Sequence, residues 1–393
     1  MNSFLPNCPW QRTKAGLVLL LSGLTLWQIS PAEAFTGYSV SPDAVVLAES
    51  AFEQRSSAEP SAQSRVSRED FYVESAPGIQ IFVREVRLDS NANGAKVPVL
   101  LVHGGGAGGL ASFDLDVSGY SLAENLATAG HPVYIMDVRG WGKSTRPPSM
   151  NKPVQSSPSA VPSEEAVRDI SAVVDAIRSR NNGSKVGLIG WATGGHWSGM
   201  YTTRNNEKVS HLVILNSIYG VNAPWKLRAS FEDKQQPGTY DRQAGDRLAD
   251  AEGLLANWNQ TIPVKDKTQW REPAVAQAYV KTALKSDPTS STRTPMSMRI
   301  PGAFRKESYD MSLGKKYWNA VDIRVPTLVI RGELDHWSRQ ADLDALKAEL
   351  VNSPRVRAVT FAQATHFLFI DRPKRGRDRF LKEVLPFLSN SPN

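Results

Sequence analysis

Lys185-Val186-Gly187-Leu188-Ile189-Gly190-Trp191-Ala192-Thr193-Gly194-Gly195 runs from a short apolar stretch straight into a glycine-spaced turn. A continuous apolar run bounded by a turn predicts a strand buried on both faces. Gly190 and Gly194 stand two residues before and two after Ala192. A sharp strand-to-helix bend needs that spacing, because strand and helix then pass within backbone contact of each other. The bend lifts the tip residue clear of its neighbours. It also aims the first N–H groups of the helix at the same spot, where they favour negative charge. Alone, G-x-A-x-G-G is a weak motif, and an ordinary helix-opening turn is the better reading of it.

The same rhythm extends outward. Two β-prone runs over 71–88 flank Ala76-Pro77-Gly78, a hairpin signal. Buried strands are predicted over 97–102, 132–137, 185–190, 211–215, 326–330 and 356–361. Helices are predicted over 120–129, 164–180 and 377–388. The second of these carries Val167, Ile170, Val174 and Ile177 at spacings of three and four. Apolar strands alternating with helices define an α/β fold with a mostly parallel sheet of eight strands, flanked by helices. Two segments depart from the pattern. Residues 146–163 hold five prolines and many serines and read as a semi-rigid surface loop. Residues 218–321 are too many for a loop between neighbouring strands and predict a separate, mainly helical cap.

Four further segments carry chemistry-bearing residues just past a predicted strand. His103-Gly104-Gly105-Gly106 could bring backbone N–H groups close to a ligand, or be a plain flexible turn. Asp137-Val138-Arg139-Gly140-Trp141-Gly142-Lys143-Ser144 reads as a turn tied down by its own polar side chains. Gly332-Glu333-Leu334-Asp335 offers Asp335 to orient an imidazole, with Glu333 as competitor. His366 follows the last strand, placed to take and return a proton. The order is nucleophile position, acid, base, each at the strand edge where open α/β sheets form their sites.

As a set, over about 70–388, these segments resemble the α/β-hydrolase family, as found in serine esterases and lactonases with a cap domain. The resemblance implies a catalytic triad at Ala192, Asp335 and His366, and an oxyanion hole from the N–H groups of Gly105 and Thr193. It implies a pocket touching Gly104, Trp191 and Phe367, and the segment 218–321 as its cap, inserted between core parts 67–217 and 322–393. No cofactor and no metal are implied. The substrate would be a small-molecule ester or lactone, opened by acyl transfer to a hydroxyl; transfer onward to an alcohol or amine acceptor is an alternative.

The departure lies at the tip, where the family carries Ser, or less often Asp or Cys, and this chain carries Ala192. A methyl group cannot attack a carbonyl. Three explanations compete: a serine replaced by alanine, which leaves an inactive form with the rest of the site intact; a natural ligand-binding relative without turnover; or chemistry on another residue. Epoxide or haloalkane opening is disfavoured, since it needs Asp at the tip. Trp225, Trp258, Trp270 and Trp318 in the insert suggest either an apolar substrate or simply the cap's own core.

Composition sets the outer limits. With 393 residues, 41% hydrophobic and 22% charged, the chain can bury a large core. The net charge of +7 is spread without long runs, and no basic patch interleaved with aromatics points to nucleic acid. Arg12 and Lys14 precede an apolar stretch over 16–27, followed by Ala32-Glu33-Ala34. This is the pattern of a signal peptide over 1–34, cleaved after Ala34, which predicts a secreted or periplasmic protein with no stable membrane insertion afterwards. The only cysteine, Cys8, would leave with it. Residues 35–66 read as a flexible leader.

Overall fold

A computed structural model describes residues 65–89, 96–154, 159–242 and 245–389. The expected signal peptide, and the leader up to residue 64, lie outside the described residues. The strands are β1 (Val66–Ala76), β2 (Ile79–Leu88), β3 (Val99–Val102), β4 (Val133–Met136), β5 (Val186–Trp191), β6 (Val209–Leu215), β7 (Arg247–Ala249), β8 (Met298–Ile300), β9 (Thr327–Gly332) and β10 (Val356–Phe361). The helices are α1 (Gly109–Phe113), α2 (Leu122–Thr128), α3 (Ser163–Arg180), α4 (Thr193–Arg204), α5 (Ala251–Thr261), α6 (Pro273–Ser286), α7 (Ala303–Ser312), α8 (Gln340–Glu349) and α9 (Arg377–Ser389).

Eight strands form one sheet in the order β1-β2-β4-β3-β5-β6-β9-β10. The hairpin β1–β2 is antiparallel and turns at Gly78, whose φ of 74° needs no side chain in the way. β2 runs antiparallel to β4, and every later pairing in the sheet is parallel. The central strands β3, β4, β5 and β6 are buried at every position, as continuous apolar runs require, whereas β10 at the edge is only partly covered. α3 buries Val167, Ile170, Val174 and Ile177 along one stripe. Each such side chain contributes about 1.5–3 kcal/mol.

Between β6 and β9 the chain leaves the sheet and builds α5, α6, α7 and the small antiparallel pair β7–β8. Trp225, Trp258, Trp270 and Trp318 are all buried within this insertion and its seams. The described part of the proline-rich segment, read as a semi-rigid surface loop, is exposed over 151–153 and tied down on either side. Met150, Ala160 and Val161 are buried, and the carbonyl of Ala160 accepts from Ala303 N at 3.1 Å, so its few apolar side chains anchor it beneath α7.

Candidate active site

β5 ends at Trp191 and α4 begins at Thr193, which leaves Ala192 alone at the bend, with φ 54° and ψ −117°. A non-glycine residue with positive φ is strained and needs its surroundings to hold it. The hold comes from close backbone approach. A β-carbon at Gly190 would lie 2.3 Å from the carbonyl oxygen of Gly194, and one at Gly194 would lie 2.2 Å from that of Val102. Ala192 N donates to Leu215 O at 2.8 Å, fixing the bend to β6. The N–H of Thr193 sits at the first position of α4, where no intrahelical acceptor exists.

His366 and Asp335 come together from the loops after β10 and β9. The imidazole Nδ1 lies 2.7 Å from Asp335 Oδ1. Asp335 also accepts from Trp337 N at 2.8 Å, Ser338 N at 3.0 Å and the Ser338 hydroxyl. Burial alone would raise this carboxyl; the facing His366 charge and hydrogen bond, His336 and Ser338 outweigh it and hold the pKa at about 2. Asp335 is thus an anion facing His366. Glu333 points elsewhere and accepts from Gln363 N at 2.8 Å. The carbonyl of His366 is pinned by Trp191 Nε1 at 3.0 Å and Asn216 Nδ2 at 2.8 Å.

The loop at 103–106 is braced from behind. His103 Nε2 accepts from Val138 N at 3.0 Å, so Nδ1 carries the proton and donates to Gly104 O at 2.7 Å. Burial lowers the pKa of His103 and keeps it neutral. Trp141 Nε1 donates to Gly106 O at 3.0 Å. A β-carbon at Gly104 would lie 3.0 Å from Ala192 Cβ, and one at Gly105 2.5 Å from Phe304. Glycine is therefore required for the loop to reach the bend. The turn from Asp137 is structural. Asp137 accepts from Gly109 N and Lys143 N, Ser144 donates to Asp137 O, and Arg139 pairs with Asp169 at 2.6 Å.

These parts meet at one cavity of about 980 Å³, counting its mouth. Gly104, Gly105, Trp191, Ala192, Thr193, His366 and Phe367 all line it, while Asp335 stands behind His366. The insertion closes it with Leu227, Phe231, Leu254, Tyr279 and Phe304. The four insertion tryptophans do not line it. Trp258 instead stacks on Phe367 at 4.6 Å and donates to Asp371. His196 and Trp197 are buried beneath.

Sequence reasoning did not single out His336, whose ring centre lies 4.7 Å from that of His366. Its place beside Asp335 was the available signal. Burial, then the His366 charge, lowers its pKa to about 3. Ligating atoms of Asp335, His336 and His366 lie within 4.8 Å of one another. The four hydrogen bonds that Asp335 accepts commit it to holding the imidazole rather than an ion. Arg247, Arg305 and Tyr279 were also missed, because the lining of a cap carries no local motif.

The family model of the alpha/beta hydrolase fold matches residues 97–373, and the chain belongs to that family. The 1-acylglycerol-3-phosphate O-acyltransferase ABHD5 of Sus scrofa is 23% identical over 299 residues, covering 71% of this chain and 75% of its own. A 2-hydroxy-6-oxononadienedioate/2-hydroxy-6-oxononatrienedioate hydrolase of Dechloromonas aromatica is 32% identical over 134 residues, 33% of this chain and 40% of its own. Among solved structures, a serine-to-alanine mutant of the meta-cleavage product hydrolase from Pseudomonas fluorescens IP01 superposes with a TM-score of 0.53 at 18% identity, over 81% of this chain and 96% of that one. The enol-lactonase of Burkholderia xenovorans LB400 gives 0.51 at 19% identity, over 81% and 100%. Both structures show the same fold.

Proposed function

We propose that this chain is an exported carboxylic ester or lactone hydrolase by construction, with residue 192 at the nucleophile position, and that Ala192 leaves it able to bind acyl compounds without turning them over. One observation carries the reading. The strained backbone at Ala192 faces the cavity that His366 also lines, with Asp335 hydrogen-bonded behind the imidazole. A fold has no packing reason to hold an alanine there. Family membership, and relatives named as hydrolase and acyltransferase, agree with acyl chemistry.

With serine at position 192, His366 Nε2 takes the hydroxyl proton while Asp335 holds Nδ1–H and steadies the imidazolium. The serine oxygen attacks the carbonyl, and the N–H groups of Thr193 and Gly105 receive the oxyanion. His366 returns the proton to the leaving alcohol, or to the ring oxygen of a lactone. Water then repeats the cycle and frees the acid.

The test is Ala192→Ser on a panel of aryl esters and lactones. Turnover should rise by about a thousandfold or more over the chain with Ala192, and fall back in the double variant with His366→Ala. No gain on any substrate would overturn the assignment. Running the panel with glycerol present separates hydrolysis from acyl transfer by product. The Ala192 methyl favours a second reading, a binding protein that never turned over. Alanine at codon 192 of the source gene would support that reading, and serine there would support the enzyme. Export is part of the proposal, and an intact mass beginning at Phe35 would support it.

A further inference from the structure

The cavity wall contains two cations and no carboxylate. Arg247 and Arg305 both line it, and its lining residues include no Asp or Glu. The local fold explains how they get there. In the pair β7–β8, Arg247 stands opposite Ile300. Successive strand residues alternate faces, so Leu248, 47% exposed, points outward while Arg247 and Ala249 point back. A few residues after Ile300, α7 begins and delivers Phe304 and Arg305 to the same wall.

Neither guanidinium has an acidic partner among the described residues, whereas two nearby arginines of the insertion do: Arg293 and Arg299 pair with Asp287 and Asp246. The Nε of Arg247 is shielded from solvent and lacks a hydrogen-bond partner among the described residues. Arg305 packs over the Phe231 ring at 4.7 Å. Burial, then the neighbouring Arg305 charge, lowers the pKa of Arg247 to about 10, which still leaves it charged at neutral pH. Arg247 is half-buried, and a partly desolvated cation with no counter-charge is unfavourable unless something neutralises it. The two arginines also repel each other. An evolved fold has cheaper residues for a cap wall.

We infer that Arg247, supported by Arg305, forms an anion subsite that selects ligands carrying a carboxylate at the end remote from the scissile carbonyl. A guanidinium fork fits a carboxylate through paired N–H donors. Such a ligand would lie with its acyl carbon at Ala192 and its acid group against the cap. The natural substrate class is then the half-ester of a dicarboxylic acid, or a lactone bearing a free carboxylate. This rests on the proposed binding of acyl compounds at the Ala192 end of the cavity, but it is read by binding and needs no turnover.

The experiment uses the chain with Ala192 and calorimetric titration of three matched probes: monomethyl adipate, dimethyl adipate, and a methyl ester of the same chain length ending in phosphate. The monoester should bind about tenfold or more tighter than the diester, as expected for a charge-assisted hydrogen bond. Arg247→Gln and Arg247→Met should each reduce that preference to below about twofold while thermal unfolding stays cooperative. Arg305→Gln, which leaves Arg247 in place, should reduce it in part. Equal binding of monoester and diester, or a preference that survives both Arg247 variants, would overturn the inference. A phosphate probe that outbinds the monoester would overturn the choice of carboxylate. If Ala192→Ser fails to hydrolyse while these preferences hold, the hydrolase reading fails and the anion subsite stands.

Discussion

At φ 54° and ψ −117°, Ala192 holds a conformation that a methyl side chain does nothing to stabilise. Strain of this kind costs on the order of 1–3 kcal/mol, and glycine is largely free of it. Ala192→Gly should therefore raise stability by about 1 kcal/mol, the relief of strain exceeding the added entropy of the unfolded chain. Urea unfolding at neutral pH checks this, and a loss of stability would mean the bend is relaxed. The bend was legible in the sequence because close backbone approach forces glycine at 190 and 194. His366 and Asp335 were legible from their place after strands. Asp335 was preferred over Glu333 from the sequence, and the coordinates agree: Asp335 faces the imidazole while Glu333 accepts from Gln363 N. His336 went unread because a histidine beside an acid has no distinguishing spacing.

Between elements, one buried carboxylate joins the insertion to the histidine loop. Asp371 accepts from Trp258 Nε1 on α5 at 2.8 Å and from the Thr365 hydroxyl at 2.7 Å, next to His366. Burial raises its carboxyl to about 6, although Thr365, Trp258 and the more distant Arg271 pull the other way. The folded state thus holds this proton more tightly than the unfolded state. That contribution is fully present below the unfolded value of 3.8 and is lost as pH rises through about 6. Its size is about 3 kcal/mol. Asp371→Asn removes it, so the stability of the native chain relative to this variant should fall by about that amount from about pH 4 to about pH 7. Parallel urea-unfolding curves for the two proteins over that range would contradict the assignment. The strands of the sheet could be read from sequence as continuous apolar runs bounded by turns, and α3 from its period, whereas the five-residue α1 and the helix α8 were not read. β7 and β8, three residues each, show neither signal. The arginine that β7 carries into the cavity therefore stayed hidden.

Across the whole molecule, the eight strands were predictable but their spatial order was not, since sequence position does not reveal which side of β3 each crossover takes. Nor could composition show how the insertion is fastened to the core. It is fastened by a buried polar relay. Trp318 Nε1 donates to His196 Nδ1 at 3.0 Å, so the proton of His196 sits on Nε2, 3.0 Å from the Ser163 hydroxyl. Trp197 Nε1 donates to the same hydroxyl at 3.1 Å. Ser163 in turn donates to Glu307 on α7, through its hydroxyl at 2.5 Å and its backbone N–H at 2.9 Å. Burial lowers the pKa of His196 to about 3 and raises the Glu307 carboxyl, so the histidine stays neutral and the relay keeps one direction. Glu307→Ala strands two buried donors of Ser163 and should cost about 2–4 kcal/mol. Glu307→Gln, which keeps one acceptor, should cost roughly half as much. Because the loss falls on the seam, the insertion should become sensitive to protease before the sheet unfolds. Limited proteolysis with mass mapping of the cuts tests this: new cleavage within 218–321 is expected, and cleavage confined to other regions, or a stability matching the unmodified chain, would show that the relay does not fasten the insertion.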